Sequence, residues 1–205
     1  MRRRLLLALM LAATGCGSAP PGYGPPPALP PSVVDHREER WYEVDGSTRD
    51  ELIRSIREEG PVADGRTVWG RHDWHMRWRF RYAPDGPFCR MTEVRVELES
   101  VTTLPRWRTR HEADPELGRA WDAMIEALRV HENGHRDIAY RAARDVDRML
   151  RRMSEPDCSF ITARANRAAQ DILDRYRAIN RRYDEETRSG AEQGVTLRRP
   201  GGIDF

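Results

Sequence analysis

Lysine is absent from this chain, whose 35 basic residues are all arginine. That is a compositional habit and points to no site. Long apolar runs are missing as well: the longest, Leu5 to Ala13, is too short for a stable membrane span, which needs about 20 residues. Charge of one sign is also lacking. Once Arg2, Arg3 and Arg4 are set aside with a leader, 32 basic residues face 33 acidic ones, a net charge of −1, so nothing asks for nucleic acid as a partner.

What stands at the N-terminus is three arginines, a short apolar core and the small residues Ala13-Thr14-Gly15 before Cys16. This is the layout of a secretory leader, and the cysteine after small residues resembles the lipobox of bacterial lipoproteins. The expected organisation is a lipoprotein signal peptide over 1–15, then a lipidated Cys16 with a proline-rich tether to residue 38. The remainder, 39–205, is a single domain. Residues 19–31 hold seven of the fourteen prolines and read as an extended spacer. The expected location is the cell envelope, with the membrane engaged through the lipid and the domain facing the periplasm or cell surface. In that oxidising setting Cys89 and Cys158 are the natural disulfide partners, a closure expected to contribute about 4 kcal/mol.

Within the domain, Trp41 to Val44 reads as a short strand. Ser47 or Thr48 should cap a helix running to about Glu59, before Gly60-Pro61. Trp74, Met76, Trp78, Phe80 and Tyr82 alternate with His75, Arg77, Arg79 and Arg81, the period of a strand with one buried and one wet face. A turn at Pro84-Asp85-Gly86-Pro87 leads to a second alternating strand through Val94, Val96 and Leu98, giving an antiparallel hairpin. From Pro115 the apolar positions recur at threes and fours to about Met153, and again from Phe160 to Tyr183. The expected fold is therefore α+β, a small antiparallel sheet packed on two long antiparallel helices.

The first long helix carries His131-Glu132-Asn133-Gly134-His135, an H-E-x-x-H pattern. Residues four apart share one helix face, so both imidazoles can reach a single metal while Glu132 stands beside a water at its open position. The pattern predicts a zincin-like helix with His131 and His135 as zinc ligands and Glu132 as the catalytic general base. The plainer reading is a pair of partly exposed histidines in a salt-bridged face with Glu132 and Asp137. Gly134 argues against it, because glycine in a helix interior costs about 1 kcal/mol relative to alanine, and its presence suggests a close approach to the backbone there, such as a metal ligand from another segment or an aromatic ring. A catalytic zinc needs a third protein ligand. His72, His75 and His111 supply nitrogens, although His75 and His111 read as surface residues. Asp184, Glu185 and Glu186, on or just past the second helix, supply carboxylates, and spacing does not choose among them.

These features together resemble the bacterial domain of unknown function 922 family, commonly described as predicted secreted zinc-dependent proteases. The resemblance is carried by Trp41-Tyr42-Glu43-Val44-Asp45-Gly46, Gly60-Pro61, the Trp-rich strand, Cys89 and Leu104-Pro105-Arg106-Trp107. It continues through His131 to His135 with Asp137-Ile138-Ala139, and Cys158. In the tail Tyr183, Asp184, Thr187, Gly190, Gln193 and Gly194 fit, while Ser189 stands where the family has a histidine. The resemblance implies a zinc metallopeptidase acting on a peptide or protein substrate. If the missing histidine is a family ligand, Asp184 or Glu186 substitutes or the site is weakened. The rival expectation is a non-catalytic envelope lipoprotein used for binding or assembly, its metal structural or absent.

Overall fold

A computed structural model describes residues 32–197; Cys16, the tether before residue 32 and Gly201 lie outside them. The architecture is α+β, with a mixed sheet and three helices. The first strand, β1, spans Val33–Val44. Helix α1 spans Arg49–Glu59 and is capped by Thr48, whose side chain accepts from Glu51 N while Glu51 returns to the Thr48 amide. That reciprocal pair satisfies amides that a helix start leaves open. Two short strands follow, β2 (Val62–Ala63) and β3 (Arg66–Thr67), joined through Asp64 and Gly65 at φ 50° and 76°. Positive φ at both turn residues is what Asp-Gly hairpins supply.

The long strands β4 (Arg71–Asp85) and β5 (Phe88–Trp107) form the expected antiparallel hairpin. The sheet as a whole is not antiparallel, and this corrects the expectation. β1 lies on the other edge of β5 and runs parallel to it, Val33 opposite Val96 and Val44 opposite Trp107. β1 also starts at Val33, inside the segment expected to be tether, because Val33-Val34-Asp35-His36-Arg37-Glu38-Glu39-Arg40 is too charged to read as a strand. A two-residue strand, β6 (Ser154–Glu155), pairs with Cys89 and Arg90.

The helical half is α2 (Pro115–Arg152) and α3 (Cys158–Thr187). Asp114 caps α2, accepting from Glu116 N and Leu117 N, with proline at the first position where no amide is needed. The Cys89–Cys158 disulfide joins the start of β5 to the start of α3. The aromatic row of β4 is covered unevenly. Met76 is buried, Trp74, Trp78 and Phe80 are half-buried, and Tyr82 beyond a bulge at Arg81 is exposed. β4 is an edge strand, so α3 covers its row only in part.

Two apolar clusters hold these layers together. One joins Met76, Val94, Val96 and Leu98 of the sheet to Ala139, Ala142, Val146, Leu150, Ile161 and Ile172. The other joins Val44, Leu52, Ile56, Leu104 and Trp107 to Trp121, Met124, Leu128 and Leu197. The α2 turn from His131 to His135 falls between them, after Leu128 and before Ala139. It is gripped on both sides by core, and each fully buried leucine there contributes about 2 kcal/mol to the grip.

Candidate metal centre

His131, Glu132 and His135 are all buried, at 3%, 3% and 6% exposure. The face that carries them is turned inward, which removes the reading of a solvated salt-bridged face. Their two Nε2 atoms lie 3.2 Å apart. Asp184, in the last turn of α3, brings Oδ1 to 3.3 Å from His131 Nε2 and 3.0 Å from His135 Nε2. These three residues form a group that could hold a metal ion. Of the other acids, Glu186 turns away to Arg182 and Glu185 is exposed. Of the other histidines, His111 pairs with Glu112 on the surface and His75 is exposed on the wet face of β4.

Both imidazoles are held from behind. His135 Nδ1 donates to Asn180 Oδ1 at 2.9 Å and His131 Nδ1 donates to Gln193 Oε1 at 2.9 Å. With each Nδ1 carrying the proton, each Nε2 keeps its lone pair, and the two lone pairs face each other beside a carboxylate. Two imidazole nitrogens and one carboxylate oxygen converging in this way are a donor set that fits a divalent metal of intermediate softness. Tyr183 stacks on His131 with centroids 5.1 Å apart and planes at 13°. Its hydroxyl accepts from Gln193 Nε2 at 3.0 Å.

The chain reaches this arrangement by an unusual exit from α3. Arg188 and Ser189 take φ of 48° and 52°, followed by Gly190 at 85°. Two consecutive non-glycine residues in the left-handed region are uncommon. The reversal seats Ser189 in the groove wall and carries a 3-10 turn over Ala191–Gln193 back onto His131. Gly190 is required there for space as well, since a Cβ would lie 3.1 Å from His131 Cγ.

The charges are set by burial and by neighbours. Burial pushes the Glu132 carboxyl up to about 7, against the opposing pull of His135 and His131. Burial would also raise Asp184, but its contacts with the two histidines outweigh that and hold it well below the usual carboxylate range. For His135, burial acts downward and the contact with Asp184 wins, raising it. One carboxylate is thus firmly ionised at the donors, and a second, one residue from His131, is poised to exchange a proton near neutrality. Gly70 makes room for it: a Cβ there would meet Glu132 Oε1 at 2.6 Å.

The centre opens into a groove of about 1460 Å³. The β2–β3 hairpin with Gly70 to Asp73 is one wall, the end of α3 with the following turn is the other, and Leu128, His131, Glu132 and His135 form the floor. Asn180, Gly70 and this hairpin were not singled out in the sequence. Only the hairpin had a readable signal, Asp64-Gly65 between Val62-Ala63 and Arg66-Thr67. His72 also lines the groove, its Nδ1 2.9 Å from Thr102 Oγ1, outside the three-donor group.

Fold and site together define an α+β domain in which two buried histidines and a half-buried aspartate form one donor set beside an open groove. The chain belongs to the family described as bacterial protein of unknown function (DUF922), which it matches over residues 39–191. No curated protein and no solved structure matches it.

Proposed function

We propose that the protein is a zinc-dependent peptidase of the bacterial cell envelope, anchored by a lipid on Cys16. The observation that carries the reading is the convergence of Asp184 on the two histidines of His131-Glu132-x-x-His135, with Glu132 buried beside them and a groove above. His131, His135 and Asp184 would hold the zinc. When bound, it would supply Lewis acidity to a carbonyl and to water.

The chain's own residues do the rest. The groove receives an extended peptide or protein segment, its walls holding the scissile amide over the floor. Glu132 accepts a proton from the attacking water as the water oxygen bonds to the carbonyl carbon. The same carboxyl then gives a proton to the departing amine nitrogen as the C–N bond breaks, so water is consumed and two peptide ends are released. A carboxyl near 7 suits both directions of transfer. Asn180 and Gln193 keep the imidazole Nδ1 atoms protonated, and Tyr183 fixes the plane of His131. A third donor and an open groove favour this over a non-catalytic binding lipoprotein, for which a closed or donor-poor site would be expected.

The test is metal content together with hydrolysis of a general peptide library. The expected result is about one zinc per chain, lost in His131→Ala, and hydrolysis abolished in Glu132→Gln with zinc retained. A protein that takes up no zinc when supplied with it would overturn the reading.

A further inference from the structure

The chemistry at the other end of α2 is different. Residues 140–152 hold five arginines and two aspartates. At a spacing of four, Tyr140, Arg144, Arg148 and Arg152 are all exposed, which places them in one stripe along the solvent side of the helix. Arg144 and Arg152 make no ion pair with any described residue. Arg148 meets Asp145 at 3.2 Å, and Arg151 is turned inward onto Asp147 at 2.7 Å.

The chain enters the fold at this stripe. Ser32 donates through Oγ to Asp147 Oδ1 at 2.9 Å and accepts from Arg151 at 2.6 Å. Val33, Tyr140 and the arginines line a depression of about 480 Å³ beside it. Residues 1–34 contain neither aspartate nor glutamate, so the segment leading into the fold cannot neutralise the stripe.

Exposed apolar groups stand at the same end. β6 follows α2 within two residues and pairs with Cys89 and Arg90. The disulfide ties Cys89, which follows Phe88, to Cys158, two residues before Phe160. Phe160 is 60% exposed and Phe88 41%. Exposed phenylalanines at the end of a helix whose solvent side carries arginines, with Arg90 over the Phe88 ring at 5.4 Å, are the composition of a surface that rests on a bilayer, apolar rings entering the interface and guanidiniums on the headgroups.

We infer that this end of the domain docks on an anionic membrane surface, through Arg144, Arg148 and Arg152 on headgroup phosphates and Phe88 and Phe160 at the interface. The point of chain entry and the charge complementarity favour the membrane over a protein partner. At about 100° per residue, Tyr140, Arg144 and Arg148 lie roughly 100° to 180° around α2 from His131 and His135, and Arg152 stands more than about four turns beyond them. Docking therefore leaves the groove open to the surrounding fluid. The inference is independent of hydrolysis and holds whether or not the site is a peptidase.

The test uses the full chain carrying Cys16→Ala, so that no lipid is attached. Partition is measured onto vesicles of phosphatidylcholine and of phosphatidylcholine mixed with phosphatidylglycerol, and the readout is the ratio between them. That ratio cancels any contribution from the apolar residues 5–13, and Arg2, Arg3 and Arg4 are common to every variant, so the change in the ratio between variants reads the stripe. Each arginine near an anionic surface adds about fivefold. Arg144→Gln, Arg148→Gln and Arg152→Gln together should therefore lower the ratio by on the order of a hundredfold. The three changes to lysine should preserve it, added salt should collapse it, and Phe88→Ser with Phe160→Ser should weaken binding to both vesicles. The tryptophan near-ultraviolet dichroism of each variant reports its folding. Equal partition of the unsubstituted chain onto both vesicles, or a folded triple glutamine variant with an unchanged ratio, would overturn the inference.

Discussion

Tyr183 occupies the space that a side chain at Gly134 would need: a Cβ there would run into the phenol oxygen and ring carbons. The same ring stacks on His131, so the glycine, the tyrosine and the ligand are one packing unit. In an ordinary helix interior Gly→Ala stabilises by about 1 kcal/mol. Here Gly134→Ala is expected to reverse that sign, because α3 must shift and Tyr183 must leave His131. Thermal unfolding with and without zinc checks it. A variant that is more stable and binds zinc as the unsubstituted chain does would refute the close packing.

Asp184 is expected to be the acid that matters for metal affinity. Asp184→Ala should weaken zinc binding by more than the 10- to 100-fold typical of losing an outer partner, whereas Asn180→Ala should fall within that range. Glu186→Ala, whose carboxylate pairs with Arg182 among the described residues, should change nothing. Competition with a chromogenic chelator measures all three. An Asp184 variant that binds as tightly as the Glu186 variant would return the third ligand to an open question.

Much of this was legible in the residues, and what was not has physical causes. The period of two in Trp74 to Tyr82 marked β4, and a capping residue at Ser47 or Thr48 ahead of Gly60-Pro61 marked α1. His131 and His135 were readable because a helix fixes their relative positions from spacing alone. Asp184 could only be named among candidates, since its approach depends on α3 extending to Thr187 and on the angle at which α3 crosses α2. Gln193 arrives through Arg188 and Ser189 at positive φ, a backbone state those residue types do not advertise. Of β1 only Trp41 to Val44 was legible; the part before it was hidden because its pairing is parallel and remote, and charged residues at an edge obscure the alternation.

The Cys89–Cys158 bridge closes a separation of 69 residues. In the chain-entropy model that constraint on the unfolded chain contributes about 4 kcal/mol. Cys89→Ser with Cys158→Ser should lower the Tm by roughly 10 °C or more for a domain of this size. Scanning calorimetry of the double variant, beside the unsubstituted chain with and without reductant, checks the figure. If all three samples melt together, the bridge is not formed in solution.

His72 should make stability fall in mild acid. Burial, with a smaller contribution from the nearby His135, lowers it to about 4, against about 6.5 for an unfolded histidine. Between those values the unfolded chain binds a proton that the folded chain refuses. Stability is therefore complete above pH 6.5 and declines as the pH is lowered towards 4, by up to about 3 kcal/mol. His72→Gln keeps a partner for Thr102 without a group that titrates there, and should flatten this part of the profile. Urea midpoints from pH 7.5 to 4 for both proteins measure the difference, and parallel curves would mean that His72 is protonated as readily in the folded chain as in the unfolded one.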